Sequence, residues 1–314
     1  MLLLALDTST RQSSVSLSTE NELYGEYTWY AENNHSVELL ENIRRMMAEC
    51  QLSMPQLDAV AVATGPGSFN GVRVALATAK TLAFALSISL VGISTLDALA
   101  IQQVWDGPIC AVLEAGRGEL YAVTYRCEQV RGEDGSIDKH LRRLGDYLLV
   151  TPVQLASSLL QYPETDRRNR ENLVQPPMPY NMSYSAGGIP TKSNGNTLDE
   201  QGDKKLDRLA RRKSTPVLFC GELSTTSRQA LQAAMRGECL FADAVRSARR
   251  ASMMAMLAVQ RLQEGKIDDP LLLEPLYLRR PSITTSSRKQ PLLGGVSQQQ
   301  GQRKTEREEG ALRH

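Results

Sequence analysis

Apolar positions at the start of the chain come in short runs. Leu2-Leu3-Leu4-Ala5-Leu6 is followed by Asp7-Thr8-Ser9-Thr10, then by the alternation Val15-Ser16-Leu17-Ser18, then by Leu23-Tyr24 through Trp29-Tyr30. Runs of this length, broken by Asp-Thr-Ser and by Thr19-Glu20-Asn21, predict a three-stranded antiparallel meander. A helical period takes over from Ser36 to Cys50, where Leu39, Ile43, Met46 and Cys50 recur in steps of four, three and four, with Leu40 and Met47 one position round. The segment Ala59 to Ala63 reads as a strand, and Val72 to Leu86 as a helix interrupted only by Arg73, Thr78, Lys80 and Thr81. A helix apolar nearly all round is covered on several sides, within its own domain or by another chain.

The pattern then repeats. Leu96 to Val104 reads as helix, and Ile109 to Leu113 and Leu120 to Tyr125 as strands joined by Gly116-Arg117-Gly118. Pro152 to Leu160 predicts a helix with proline in its first turn, Pro216 to Gly221 a buried strand, Thr225 to Met235 a helix, and Ala244 to Gln263 one last helix. Residues 163–214 pack proline, glycine, asparagine and charge without periodicity, and 281–314 do the same with serine and glutamine, so both read as disordered.

Between strand and helix stands Gly65-Pro66-Gly67-Ser68-Phe69-Asn70-Gly71-Val72-Arg73, the most specific string in the chain. Strand, glycine-rich turn and helix form an order that aims backbone N–H groups at an anion or a partner. Glycine permits approaches that a Cβ would block, and Ser68 or Asn70 can cap the helix. The string has neither the Lys-Ser/Thr ending of a P-loop nor GxGxxG spacing, so alone it names no ligand. Arg73 in the first helical turn opposes the helix dipole at a cost of roughly a few tenths of a kcal/mol, which a carboxylate or solvent must offset.

Composition narrows the classes. Lys and Arg number 36 against 35 Asp and Glu, a net charge of +1, so no chain-wide field would hold a polyanion such as tRNA. No apolar run is long enough to span a membrane and Leu2 to Leu6 has no basic flank, which suggests a cytoplasmic protein. The 5 cysteines are scattered, as reduced core thiols are.

Six segments together resemble one family: Leu4-Ala5-Leu6-Asp7-Thr8-Ser9, His35-Ser36, the loop from Gly65 to Arg73, Gly92-Ile93-Ser94-Thr95-Leu96, Arg117-Gly118-Glu119-Leu120-Tyr121, and Glu274-Pro275-Leu276-Tyr277-Leu278-Arg279. They resemble the TsaB family, the Gcp-like dimerisation subunits of the bacterial machinery that forms N6-threonylcarbamoyladenosine in tRNA. The match is dense over residues 1 to about 126 and sparse over about 214 to 280. It departs at Asn70, where the family has Thr, at Ala75, where it has Gly, and at Glu114-Ala115, where relatives show Asp-Ala-Arg.

The resemblance implies an α/β, two-lobed actin-like, Hsp70-like (ribonuclease H-like) ATPase fold with a degenerate nucleotide cleft. Residues 1–105 would form the first lobe, joined by a returning C-terminal helix at 244–280, and 106–162 with 215–243 the second. It implies a non-catalytic subunit that supports a TsaD-type transferase. The candidate interface is His35, Leu39, Leu40, Ile43, Met46, Met47, Val72, Arg73, Leu76 and Lys80. Because an ATPase of this fold sets such an Asp near the metal–nucleotide phosphates, Asp7, Thr8, Gly65, Gly67 and Ser68 are candidates for residual phosphate contact. The chain would carry no metal and no cofactor of its own, ATP and metal residing on partner subunits. A TsaE-type ATPase and a second copy of the chain are further partners the resemblance allows, with tRNA met only through the complex.

Two other functions stay open on the residues: an ATP-dependent threonylcarbamoyl or carbamoyl-type transferase using Asp7 and the glycine loop, and a metallopeptidase. The second is weak, because Leu39 stands four positions after His35, where a second imidazole would share its helical face. His140 and His314 fall in loop-like and tail regions, and Ser68 has no identifiable base.

Overall fold

Strand β1 (Leu3–Asp7) is buried on both faces, which is why its sequence runs apolar without alternation. Leu4 and Leu6 point to one layer of helices, while Leu3 and Ala5 point to the other. It pairs antiparallel with β2 (Gln12–Ser18), which pairs antiparallel with β3 (Leu23–Tyr30). On its other side β1 runs parallel to β4 (Ala59–Gly65), and β4 to β5 (Ser89–Ser94), giving the order β3-β2-β1-β4-β5. Helices α1 (His35–Glu49) and α2 (Phe69–Leu86) cover one face of this sheet.

The second sheet repeats the plan. Strands β6 (Pro108–Gly116), β7 (Glu119–Arg131) and β8 (Ile137–Arg143) form an antiparallel meander, and β6 runs parallel to β10 (Val217–Glu222), which runs parallel to β11 (Cys239–Phe241). The order β11-β10-β6-β7-β8 is the first sheet's order again, with β9 (Leu148–Val150) added against β7. A duplicated meander-plus-parallel sheet of this kind is the actin-like, ribonuclease H-like fold. Helix α3 (Thr95–Ile101) packs on one face of the second sheet, and α4 (Pro152–Gln161) and α5 (Thr225–Ala234) on the other.

The computed structural model describes residues 1–31, 35–131, 137–161 and 215–279, and the expected insertion and tail lie outside them, as do the side chains of His35, Cys127 and His140. Strands β8, β9 and β11 are additions to the sequence expectation. They are short or charged, and their pairing comes from neighbours already in the sheet rather than from their own alternation.

The expected helix from Ala244 to Gln263 is two helices. Helix α6 (Ala244–Ser247) stops at Ala248, Arg250 is extended at φ −123° and ψ 126°, and α7 (Ala251–Gln263) begins after it. The amide side chain of Gln102 donates to the carbonyls of Arg246 and Ala248 at 2.8 and 3.0 Å, and that of Gln103 to Arg246 at 2.7 Å. These bonds satisfy carbonyls that a continuous helix would have satisfied itself. Helix α7 then packs Ala251, Met254, Ala255, Leu257 and Ala258 on the first sheet, against the small Ala59, Ala61 and Ala63 of β4.

Candidate functional site

Asp7 ends β1 with its carboxylate buried and both oxygens in use. Oδ1 accepts from the backbone N–H of Ser9 at 2.7 Å and from its hydroxyl at 2.6 Å, the local Asx-type turn an Asp-Thr-Ser sequence favours. Oδ2 accepts from Nε of Arg249 at 2.8 Å. Arg249 is itself 1% exposed. Its Nη2 donates to the Thr10 hydroxyl at 2.5 Å and to the Gln12 carbonyl, and its Nη1 to Glu222 at the end of β10. The Thr10 hydroxyl donates in turn to Glu222 Oε1 at 2.9 Å. Burial works to lower the pKa of Arg249, but the Asp7 and Glu222 carboxylates outweigh it and hold the guanidinium charged.

The glycine loop closes on the same turn. The Ser68 N–H donates to the Ser9 carbonyl at 2.5 Å, and the Thr8 hydroxyl to the Gly71 carbonyl at 2.7 Å. A Cβ at Gly67 would stand 2.3 Å from Ser9 O, and one at Gly71 2.0 Å from Thr8 O. The glycines are there so that two backbones can touch. Ser68 caps α2, accepting from Gly71 N–H at 3.4 Å. So Asp7, Thr8, Gly65, Gly67 and Ser68 do come together, with the polar groups named here engaged by one another. Arg73 lies over the Phe69 ring at 5.0 Å, and Phe69 stacks on Tyr277 at 5.3 Å. Because α2 begins at Phe69, Arg73 lies beyond the first turn where it was expected to oppose the dipole, and it packs on an aromatic face.

A metal-bound phosphate beside Asp7 would need an oxygen that Arg249 already holds, and would have to expel a buried guanidinium from four polar partners. These residues do not fit that group. Among the described residues no three His, Cys, Asp or Glu side chains stand together as a metal site. A cleft of about 370 Å³ opens beside Thr64, Ser94, Asp97, Tyr147 and Glu274. Asp97 there already accepts from the hydroxyls of Tyr125 and, at 3.1 Å, Tyr147. Burial raises its carboxyl above the ordinary value of 3.8, against the pull of those two bonds.

Comparison with known proteins bears on this arrangement. The family model described as TsaD: tRNA N6-adenosine threonylcarbamoyltransferase matches residues 25–287. The chain belongs to this family. It is similar to the tRNA threonylcarbamoyladenosine biosynthesis protein TsaB of Bacillus subtilis, 35% identical over 127 residues, 40% of this chain and 56% of that protein. The protein of the same name from Haemophilus influenzae is 37% identical over 144 residues, 43% of this chain and 58% of that protein. The chain thus spans a little over half the length of these curated relatives. YeaZ from Pseudomonas aeruginosa matches in structure with a TM-score of 0.57 at 21% identity, over 88% of this chain and 100% of that one, and shares the fold.

In this TsaD-family chain the expected interface stripe is corrected by burial. Leu39, Ile43, Met46, Met47, Val72 and Leu76 are all under 5% exposed and pack with β1, β2 and β4 in the chain's own core. An amphipathic stripe faces whatever covers it, and here that is the sheet. Leu40 at 56% exposed and Arg73 remain on the outside, with Lys80 half-buried. The outer apolar side chains are ones the sequence reading passed over: Val37 on α1 at 68% and Phe84 on α2 at 80%, the latter beside exposed Ala77, Thr81 and Ala85. Arg249 is not among the expected site residues, and its sequence signal is an Arg-Arg pair set just ahead of the apolar run from Ala251 to Val259.

The family motif ends meet as well. Arg279 donates to the Ala115 carbonyl at 2.8 Å and pairs with Glu119, so the last matched segment clasps the β6–β7 hairpin. Glu114 accepts from the Ser224 N–H at 2.9 Å, just ahead of α5.

Proposed function

We propose that this chain serves tRNA threonylcarbamoyladenosine formation as a non-catalytic subunit that binds a TsaD-type transferase through the outer face of α1 and α2. The observation that carries the reading is the family match, joined to the exposure of Val37 and Leu40 on α1 and of Phe84 on α2. Large apolar side chains at such exposure, beside alanines, suit burial against another protein. A partner that binds one state of a transferase shifts that state's population without touching substrate. In this reading the chain needs no nucleotide or metal of its own, works in the cytoplasm and meets tRNA through the complex. The alternative, an ATP-dependent transferase working from Asp7, loses support because both oxygens of Asp7 are engaged within the chain.

The test is co-expression with the TsaD-type protein of the same cell, gel filtration with light scattering, and a tRNA modification assay on each fraction. Activity confined to fractions holding both chains is the expected result. A transferase fully active alone, with this chain eluting separately, overturns the reading. A self-associated peak would instead assign the face to a second copy.

A further inference from the structure

Asp7 and Glu222 come from different sheets, one from the end of β1 and the other from the end of β10, and both reach the same guanidinium. Two carboxylates converging on one point need a cation between them, since like charges at short range repel and burial worsens the repulsion. In many proteins that cation is a metal ion, acquired from solution. Here it is covalently part of the chain.

We propose that Arg249 is a permanent internal cation: it fills the point on which Asp7 and Glu222 converge and ties the two lobes together, so that lobe closure needs no bound ion or nucleotide. The position of Arg249 in the chain supports this. It lies in the break between α6, which packs beside β10 of the second lobe, and α7, which packs on β1 and β5 of the first. Its backbone N–H is itself fixed to the Gln12 side chain at 3.2 Å, and the chain just before it is held by Gln102 and Gln103. The side chain therefore arrives aimed at its partners, with little rotamer freedom left to lose on binding them. A guanidinium suits the place better than an ammonium would, because its planar fork serves Asp7, Thr10, Gln12 and Glu222 at once. This inference is independent of whether a transferase binds α1 and α2.

The test is a Mn²⁺ titration of the full chain followed by water-proton relaxation, on the wild type, Arg249→Ala and Arg249→Ala/Glu222→Gln. The wild type should take up no Mn²⁺ at this point, Arg249→Ala should bind at least tenfold more tightly, and the double variant should lose what the single one gained. Equal Mn²⁺ uptake by wild type and Arg249→Ala, or a folded Arg249→Ala that takes up none, overturns the proposal. If Arg249→Ala does not fold, a cycle of Asp7→Asn and Glu222→Gln in urea replaces it. Bridging by Arg249 makes the two effects on the unfolding constant non-additive by several-fold, and additivity overturns it.

Discussion

Arg279 and Glu119 stand 160 positions apart and form an ion pair across the mouth of the β6–β7 hairpin. The same guanidinium holds the hairpin carbonyls of Ala115 and Gly116, at 2.8 and 3.4 Å. Both partners are partly exposed, so screening reduces the pair's worth, and the carbonyl bonds carry much of the effect. Arg279→Ala should cost about 1–2 kcal/mol in urea unfolding and speed amide exchange in the hairpin, whereas Glu119→Gln should cost less than half as much. Equal losses from the two would place the energy in the ion pair instead.

Gly71 tests the contact between the glycine loop and the Asp7 turn. A methyl group there meets backbone, the Thr8 carbonyl at 2.0 Å, and backbone cannot rotate aside. Gly71→Ala is expected to lose at least the ~1–3 kcal/mol typical of an overpacked core. Gly116 is the control, since nothing lies within 4 Å of its added Cβ and only its φ of +73° resists substitution. Gly116→Ala should cost about 1 kcal/mol. Midpoints of guanidinium unfolding distinguish the two.

The α1 and α2 faces call for paired substitutions. Ile43 is 1% exposed, so Ile43→Glu buries a charge without a partner and should unfold the chain. Leu40→Glu and Phe84→Glu fall on the outside and should leave Tm within a few degrees while abolishing co-elution with the transferase. Retained co-elution of folded Phe84→Glu would remove α2 from the interface.

Asp97 makes stability depend on pH. Its folded pKa is raised by burial, against the hydrogen bonds from Tyr125 and Tyr147. A carboxyl that holds its proton more tightly when folded gives stability fully present below its unfolded pKa and lost as pH rises through the folded one. The wild type should therefore lose stability relative to Asp97→Asn as pH climbs from near the ordinary value of 3.8 towards neutrality. Urea midpoints of both proteins across that range check the sign, and a gap that widens in the wild type's favour contradicts it.

Much of the fold is legible in the sequence because period and punctuation are local. Leu2 to Tyr30 announces the β1–β2–β3 meander, and Ser68 announces the cap of α2. The second lobe's polar strand β8 is less visible, since it borrows its pairing from β7. Two errors share one cause. The stripe of Leu39, Ile43 and Met46 says that a face is covered, but periodicity carries no information on what covers it. The stretch from Ala244 to Gln263 has helical composition throughout, yet its break at Ala248 to Arg250 is held by Gln102 and Gln103 and by the contacts of Arg249 with Asp7, Thr10 and Gln12, all far away in the sequence. A tertiary contact that distant overrides propensity without marking the local sequence.

The placement of α7 has a consequence for the order in which the chain can be finished. All five strands of the first sheet have been made by Ser94, and α1 and α2 can cover one face at once. On the opposite face Ala98 of α3 covers only part, and the rest waits for Ala251 to Gln263, so much of the layer of Leu3, Ala5, Ala59 and Ala61 stays open while the second lobe is synthesised. On the ribosome the first lobe begun is thus among the last completed, and its bare apolar face is where a nascent-chain chaperone would find purchase.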